Sequence, residues 1–147
     1  MINDTSTNAI PITVGAATRT GKGFMNAGRF TKALGSADVQ TLDVPMTNTG
    51  TIEVLVGTLI ANGFPVNAGT LDVRSGATFS TNGGDFANTG TITGTGTLAL
   101  GAASTLTNSG TVELGGAGLA GGTLNSGGNI TNAASGVIAG HGTISDT

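Results

Sequence analysis

The chain has no cysteine, tryptophan or tyrosine, three prolines, and only 9% charged residues. Each shortage removes a class of protein. Without cysteine there is no disulfide framework, thiol nucleophile or thiolate metal site. No apolar run approaches the ~18 residues of a membrane-crossing helix. The opening MINDTSTNAIPITVG also lacks the basic and apolar regions of a signal peptide. Membrane insertion is therefore not expected. Low charge and 27 glycines would suit a flexible linker. A mean hydropathy of +0.23, with Ile, Leu, Val and Phe at regular positions, instead supplies one continuous core.

The few charges are unevenly placed. Residues 1–32 carry Arg19, Lys22, Arg29 and Lys32 against Asp4, a net +3, whereas the remaining residues hold Arg74 against seven acids, a net −6. Four cations in an otherwise acidic chain without exposed-type aromatics make a poor nucleic-acid footprint, so no nucleic-acid partner is expected.

A repeat dominates what is present. TNTGTIEV (47–54), NAGTLDV (67–73), ANTGTITG (87–94) and TNSGTVEL (107–114) are near copies, and their asparagine recurs as Asn26, Asn48, Asn67, Asn88, Asn108 and Asn132. An apolar residue precedes it by two positions at Phe24, Met46, Phe86, Leu106 and Ile130. The shorter third copy offers Val66, one position before its Asn67. Past the following glycine stands a second apolar series: Phe30, Ile52, Leu71, Ile92, Val112 and Ile138. Gly-led segments such as GTLIA (57–61), GATFS (76–80) and GTLAL (96–100) complete each copy.

Alternation and β-branched content give about three short strands per copy, and the density of Gly, Thr and Asn excludes helix. A period near 20 built from short strands predicts an all-β parallel β-helix, a β-solenoid of about six coils. Coils paired at about 4.8 Å make a rod about 29 Å long. The two apolar series become internal ladders, the asparagines an amide ladder at a corner, and the glycines supply the backbone angles of that corner. Thr51, Thr70, Thr91 and Thr111 point outward. The domain expectation is an extended segment over residues 1–20, able to add a strand to a neighbouring subunit, and a solenoid over 21–147.

Two positions beyond these threonines stand Thr31, Glu53, Asp72, Thr93, Glu113 and Ala139. Glu53 and Asp72 on adjacent coils read either as a weak calcium site with oxygen ligands or as a solubilising stripe. Two carboxylates are few for a metal. Catalysis is not expected, and no cofactor is implied: His141 is the sole histidine, and there is no GxSxG, HExxH or further carboxylate pair. GAATRTGKG (15–23) fails as a phosphate loop because five residues separate Gly15 from Gly21, and Gly23 replaces the hydroxyl that binds magnesium.

The run FANTGTITGTGTLALGAASTLTNSGTVEL (86–114) resembles the repeats of bacterial autotransporter passenger domains and filamentous-haemagglutinin-like adhesins. The resemblance extends over roughly residues 24–145. It implies a right-handed parallel β-helix, export to the cell surface or beyond, and a structural or adhesive role. No binding residue is carried over, because the matching positions are those that form coils.

Solenoid ends carry unpaired strand edges, which normally need caps. None is evident here. The expectation is a non-enzymatic extracellular subunit that stacks head-to-tail with itself, with Arg19, Lys22, Arg29 and Lys32 at the joining end. The alternatives are a section of a larger surface adhesin, or an ice-binding or glycan-binding solenoid whose partner is a surface glycan or protein. Ice binding requires two threonines per coil on one flat face.

Overall fold

The computed structural model describes residues 2–4, 12–13, 23–33, 38–115 and 121–146. Short apolar-alternating segments between Gly, Asn and Pro corners make twenty strands and, among the described residues, no helix. The first coil contains β1 (Ile2–Asp4), β2 (Ile12–Thr13) and β3 (Phe24–Asn26). β4 (Arg29–Lys32), β5 (Val39–Asp43) and β6 (Met46–Asn48) form the second; β7 (Thr51–Val54), β8 (Thr58–Ala61) and β9 (Val66–Asn67) the third. Next come β10 (Thr70–Val73), β11 (Thr78–Ser80) and β12 (Phe86–Asn88), then β13 (Thr91–Gly94), β14 (Thr97–Leu100) and β15 (Thr105–Asn108). The sixth coil is β16 (Thr111–Leu114), β17 (Thr123–Ser126) and β18 (Asn129–Asn132), and β19 (Val137–Gly140) and β20 (Thr143–Asp146) begin another.

Every third strand stacks on the same wall. The first sheet runs β1-β4-β7-β10-β13-β16-β19, the second β2-β5-β8-β11-β14-β17-β20, and the third β3-β6-β9-β12-β15-β18. All pairs are parallel. The fold is a parallel β-solenoid of about six coils.

In-register stacking turns the sequence period into columns. Ile2, Phe30, Ile52, Leu71, Ile92, Val112 and Ile138 are successive Cα partners on the first sheet. Phe30, Ile52, Leu71, Ile92 and Val112 are buried in one core with Leu59, Phe79, Leu98 and Leu124 from the second sheet. Full burial of such side chains contributes roughly 1.5–3 kcal/mol each before the ordering entropy is deducted.

Three expectations are corrected by the stack. Residues Ile2–Asp4 and Ile12–Thr13 are the first rungs of the first and second sheets, paired with β4 and β5 of the same chain. A solenoid boundary at residue 21 therefore cuts through the first coil. Second, Val66 is not the third rung of the inner ladder. It is the Cα partner of Thr47 and Ala87 on the outer face. Phe64 fills the core instead, its ring 5.0 Å from Phe79 and 5.2 Å from Phe86. Pro65, between the two, has no N–H for the ladder and breaks the alternation there.

Third, the corner glycines answer to crowding more than to angle. Gly50, Gly69, Gly90 and Gly110 lack the positive φ that favours glycine. A methyl on Gly69 would lie 2.0 Å from the Gly50 carbonyl oxygen, and one on Gly90 would lie 2.1 Å from that of Gly69. Coils meet there backbone to backbone, with Thr70 N–H donating to Gly50 O at 2.8 Å.

Candidate functional site

The outer face of the first sheet carries a row of paired charges. Glu53 and Asp72 are Cα partners on adjacent coils, in the column Thr31, Glu53, Asp72, Thr93, Glu113 and Ala139. Two such carboxylates repel, and the chain answers with its own cations. The Arg29 guanidinium, contributed by the preceding coil, donates to Glu53 Oε2, and Thr31 Oγ1 donates to the same oxygen at 3.2 Å. Arg74, two residues beyond Asp72, reaches that carboxylate at 2.9 Å. The result is a row, Arg29, Glu53, Asp72, Arg74, in which each acid has a guanidinium.

Glu53 is buried beneath this cover although its position faces outward. Burial pushes the Asp72 carboxyl above its ordinary range; Arg74 opposes that shift, Glu53 adds to it, and Arg29 opposes it. Calcium takes 6–8 oxygen ligands, and among the described residues no group of three or more His, Cys, Asp or Glu comes together. An ion-paired stripe accounts for Glu53 and Asp72 better than a calcium site.

Of the four candidate joining cations, Arg29 and Lys32 are among the described residues. Arg19 and Lys22 lie outside the described residues, as does the GAATRTGKG run up to Gly23. Arg29 is engaged with Glu53. Lys32 is fully buried, because the alternation of β4 that places Arg29 and Thr31 outside turns Phe30 and Lys32 inward; Lys32 is the Cα partner of Val54 and of Asp4. Residues 1–32 carry a net +3, but the alternation of β4 takes Lys32 off the surface.

The corner asparagines form one continuous chain of side-chain amides. Asn26, Asn48, Asn67, Asn88 and Asn108 each donate from Nδ2 to Oδ1 of the next coil's asparagine at 2.8 Å, ending at Asn132. Each also donates to a carbonyl of the first-sheet strand that comes after that next asparagine, from Thr51 O for Asn26 to Val137 O for Asn108. The ladder is polar: donors point toward the last coil.

The ends of the rod differ from its middle. The described large apolar side chains that are exposed are Ile2 (40%), Met25 (67%), Val39 (49%), Val137 (49%) and Ile144 (52%). All lie in the first two coils or the last two strands. Ile2 and Ile144 are inward rungs, partners of Phe30 and Leu124, left open because no described coil stacks beyond them.

No family model, curated protein or solved structure matches this chain. The fold stands on its own strand pairing, and the resemblance of residues 86–114 rests on the coil-forming positions alone.

The remaining surface is hydroxyl-rich. Thr51, Thr70, Thr91 and Thr111 stack in register on the first sheet. A second column, Thr58, Thr78, Thr97, Thr123 and Thr143, stacks on the second sheet. Sequence inspection passed over it because its spacing is irregular, although the Gly-led segments mark it. Neither face carries two threonines per coil: the neighbouring column holds Glu53 and Asp72 on one, and Ile60, Ser80, Ala99 and Asn125 on the other. A trough of about 360 Å³ lies against the third sheet, lined by Pro65, Asp85, Phe86, Ala87, Thr105 and Thr107. Asp85 Oδ1 accepts the Thr105 backbone N–H there at 2.9 Å. His141 is exposed in the corner before β20.

Proposed function

We propose that the chain is a non-enzymatic structural subunit of the cell exterior, a β-solenoid that associates head-to-tail into a surface filament or matrix fibre. The observation that carries this reading is that, among the described residues, the inward apolar rungs Ile2 and Ile144 stand exposed at opposite ends of the stack. A second copy placed on the last coil sets its Ile2 over Ile138 on the first sheet and its β2 over β20, covering Ile144, and gives the edges of β19 and β20 a parallel partner. Exposed parallel edges template such pairing. The contact is heterologous and does not close into a ring, so it propagates.

Burying the open halves of Ile2 and Ile144 contributes roughly 1 kcal/mol each; most of the remaining drive comes from the strand edges. Extracellular placement is supported by the resemblance of residues 86–114 to autotransporter and filamentous-haemagglutinin-like repeats. A section of a larger adhesin is the second reading, supported by the same open rungs, which a following coil would cover equally well.

The test is negative-stain electron microscopy over a concentration series, with Ile144→Glu and Ile2→Glu beside the unaltered chain. Uniform filaments one coil wide, lost in either variant, are expected. Single short rods of the unaltered chain at every concentration refute head-to-tail assembly.

A further inference from the structure

Of the twelve asparagines in the chain, Asn62 and Asn82 are the two followed by glycine. An asparagine in that setting is open to attack on its side-chain amide by the next residue's nitrogen, because glycine brings no Cβ to crowd the approach. The members of the buried ladder have Ala, Thr or Ser in that place. Asn62 and Asn82 stand outside the ladder, at the corner between the second and third sheets on successive coils, one after β8 and the other after β11. Gly63 and Gly83 have φ of 82° and 90°, which accounts for a glycine at each position but not for the asparagine before it. Both glycines are exposed, and among the described residues nothing accepts from either N–H.

The two asparagines are not equivalent. Asn82 Nδ2 donates to Asn62 Oδ1 at 2.8 Å. Asn62 therefore has a donor on the atom that takes up negative charge when its Cγ is attacked, and among the described residues Asn82 Oδ1 has none. The Gly83 nitrogen also lies against the backbone of Gly101 in the following coil, where a methyl group on Gly101 would strike it. Exposure alone ranks the pair the other way, since Asn82 is exposed and Asn62 half-buried.

We propose that Asn62 is a self-modification site, an asparagine that the fold converts to aspartate and isoaspartate without an enzyme, with the Asn82 amide as its oxyanion donor. The Gly63 nitrogen gives up its proton and bonds to Asn62 Cγ, and the charge that gathers on Oδ1 is met by the Asn82 Nδ2–H. The Cγ–Nδ2 bond then breaks, and that nitrogen takes a proton and leaves as ammonia, closing a five-membered succinimide. Water opens the ring. Its attack at Cγ gives aspartate, and its attack at the Asn62 main-chain carbonyl gives isoaspartate; no oxidant or cofactor enters. Either product adds one negative charge to the corner. Isoaspartate also lengthens the main chain by one carbon between two bonds that tie the third coil to the second, Asn62 N–H to Leu42 O at 3.1 Å and Met46 N–H to Gly63 O at 2.8 Å. The modification marks the age of the molecule and loosens that joint, whether or not the chain assembles end to end.

The test incubates the full chain at neutral pH for several weeks, folded and in urea. Trypsin cuts after Arg74 and so separates Asn62 from Asn82, and tandem mass spectrometry of the two peptides reads the conversion at each site. Asn62 is expected to convert faster than Asn82 in the folded chain, and the two at similar rates in urea. Asn82→Gly keeps a residue at ease with the φ of 51° at that position and removes the donor. It should slow Asn62 about tenfold in the folded chain, the rate equivalent of one ordinary hydrogen bond, and leave the rate in urea unchanged; far-UV circular dichroism verifies that the variant is folded. No conversion of Asn62 in the folded chain, Asn82 converting first, a preference for Asn62 that survives in urea, or an unaltered rate in Asn82→Gly overturns the assignment.

Discussion

Replacing Gly69 with alanine isolates the closest contact between coils. The added methyl would stand 2.0 Å from Gly50 O, well over an ångström short of ordinary contact, and both groups are backbone. Coils must part locally, and three hydrogen bonds close that gap: Ala68 N to Asn48 O at 2.7 Å, Gly69 N to Asn48 O at 3.1 Å and Thr70 N to Gly50 O at 2.8 Å. Losing two or three costs about 2–4 kcal/mol, at about 1 kcal/mol each with some desolvation of the groups left unpaired. Reduced freedom of the unfolded chain returns only about 0.4–1 kcal/mol. Gly69→Ala is therefore expected to destabilise the fold by about 2–3 kcal/mol, within the usual cost of overpacking. Gly28 occupies the equivalent corner in the first coil, yet a methyl there meets nothing within 4 Å. Gly28→Ala should be neutral or up to about 1 kcal/mol more stable. Equilibrium urea unfolding followed by circular dichroism reads both, with the slope checked for constancy. If the two variants agree to within about 0.5 kcal/mol, close approach is not why glycine stands at these corners.

Asn88→Ala removes one donor and one acceptor from the buried amide chain and should cost about 2–4 kcal/mol, whereas Asn132→Ala, exposed at the end, should cost less than about 1 kcal/mol in the same urea assay. Phe64→Ala should cost about 3–5 kcal/mol by opening a cavity between Phe79 and Phe86, and Val66→Ala under about 1 kcal/mol; similar losses from both would return Val66 to the core ladder. Asp72 has its carboxyl raised by burial, so the folded state holds that proton to higher pH than the unfolded chain. Its contribution is favourable below the unfolded value of 3.8 and declines as pH rises through the folded value. Asp72→Asn should thus gain stability relative to the unaltered chain between pH 3.5 and pH 7; a relative loss over that range in unfolding midpoints would contradict the burial of this group.

By itself the sequence determined the coil. A parallel stack in register maps a repeat near 20 residues directly onto columns in space, so the asparagines and the series from Phe30 to Ile138 could be placed on their neighbours before any coordinates existed. Alternation within each strand likewise told inside from outside wherever nothing interrupted it. Tertiary structure decided what depends on the distance between columns and on corners of unequal length. Pro65 shifted the third coil so that Phe64, and not Val66, entered the core. The approach of Gly50 to Gly69 turned on coil spacing that no single repeat contains. Arg29 met Glu53, 24 residues away and one column over, which made a stripe of acids into a row of ion pairs. The assignment of every third strand to the same wall appears only when the described strands are paired with one another. Sequence period fixes the order of contacts along the rod; lateral placement comes from packing, which each corner adjusts for itself.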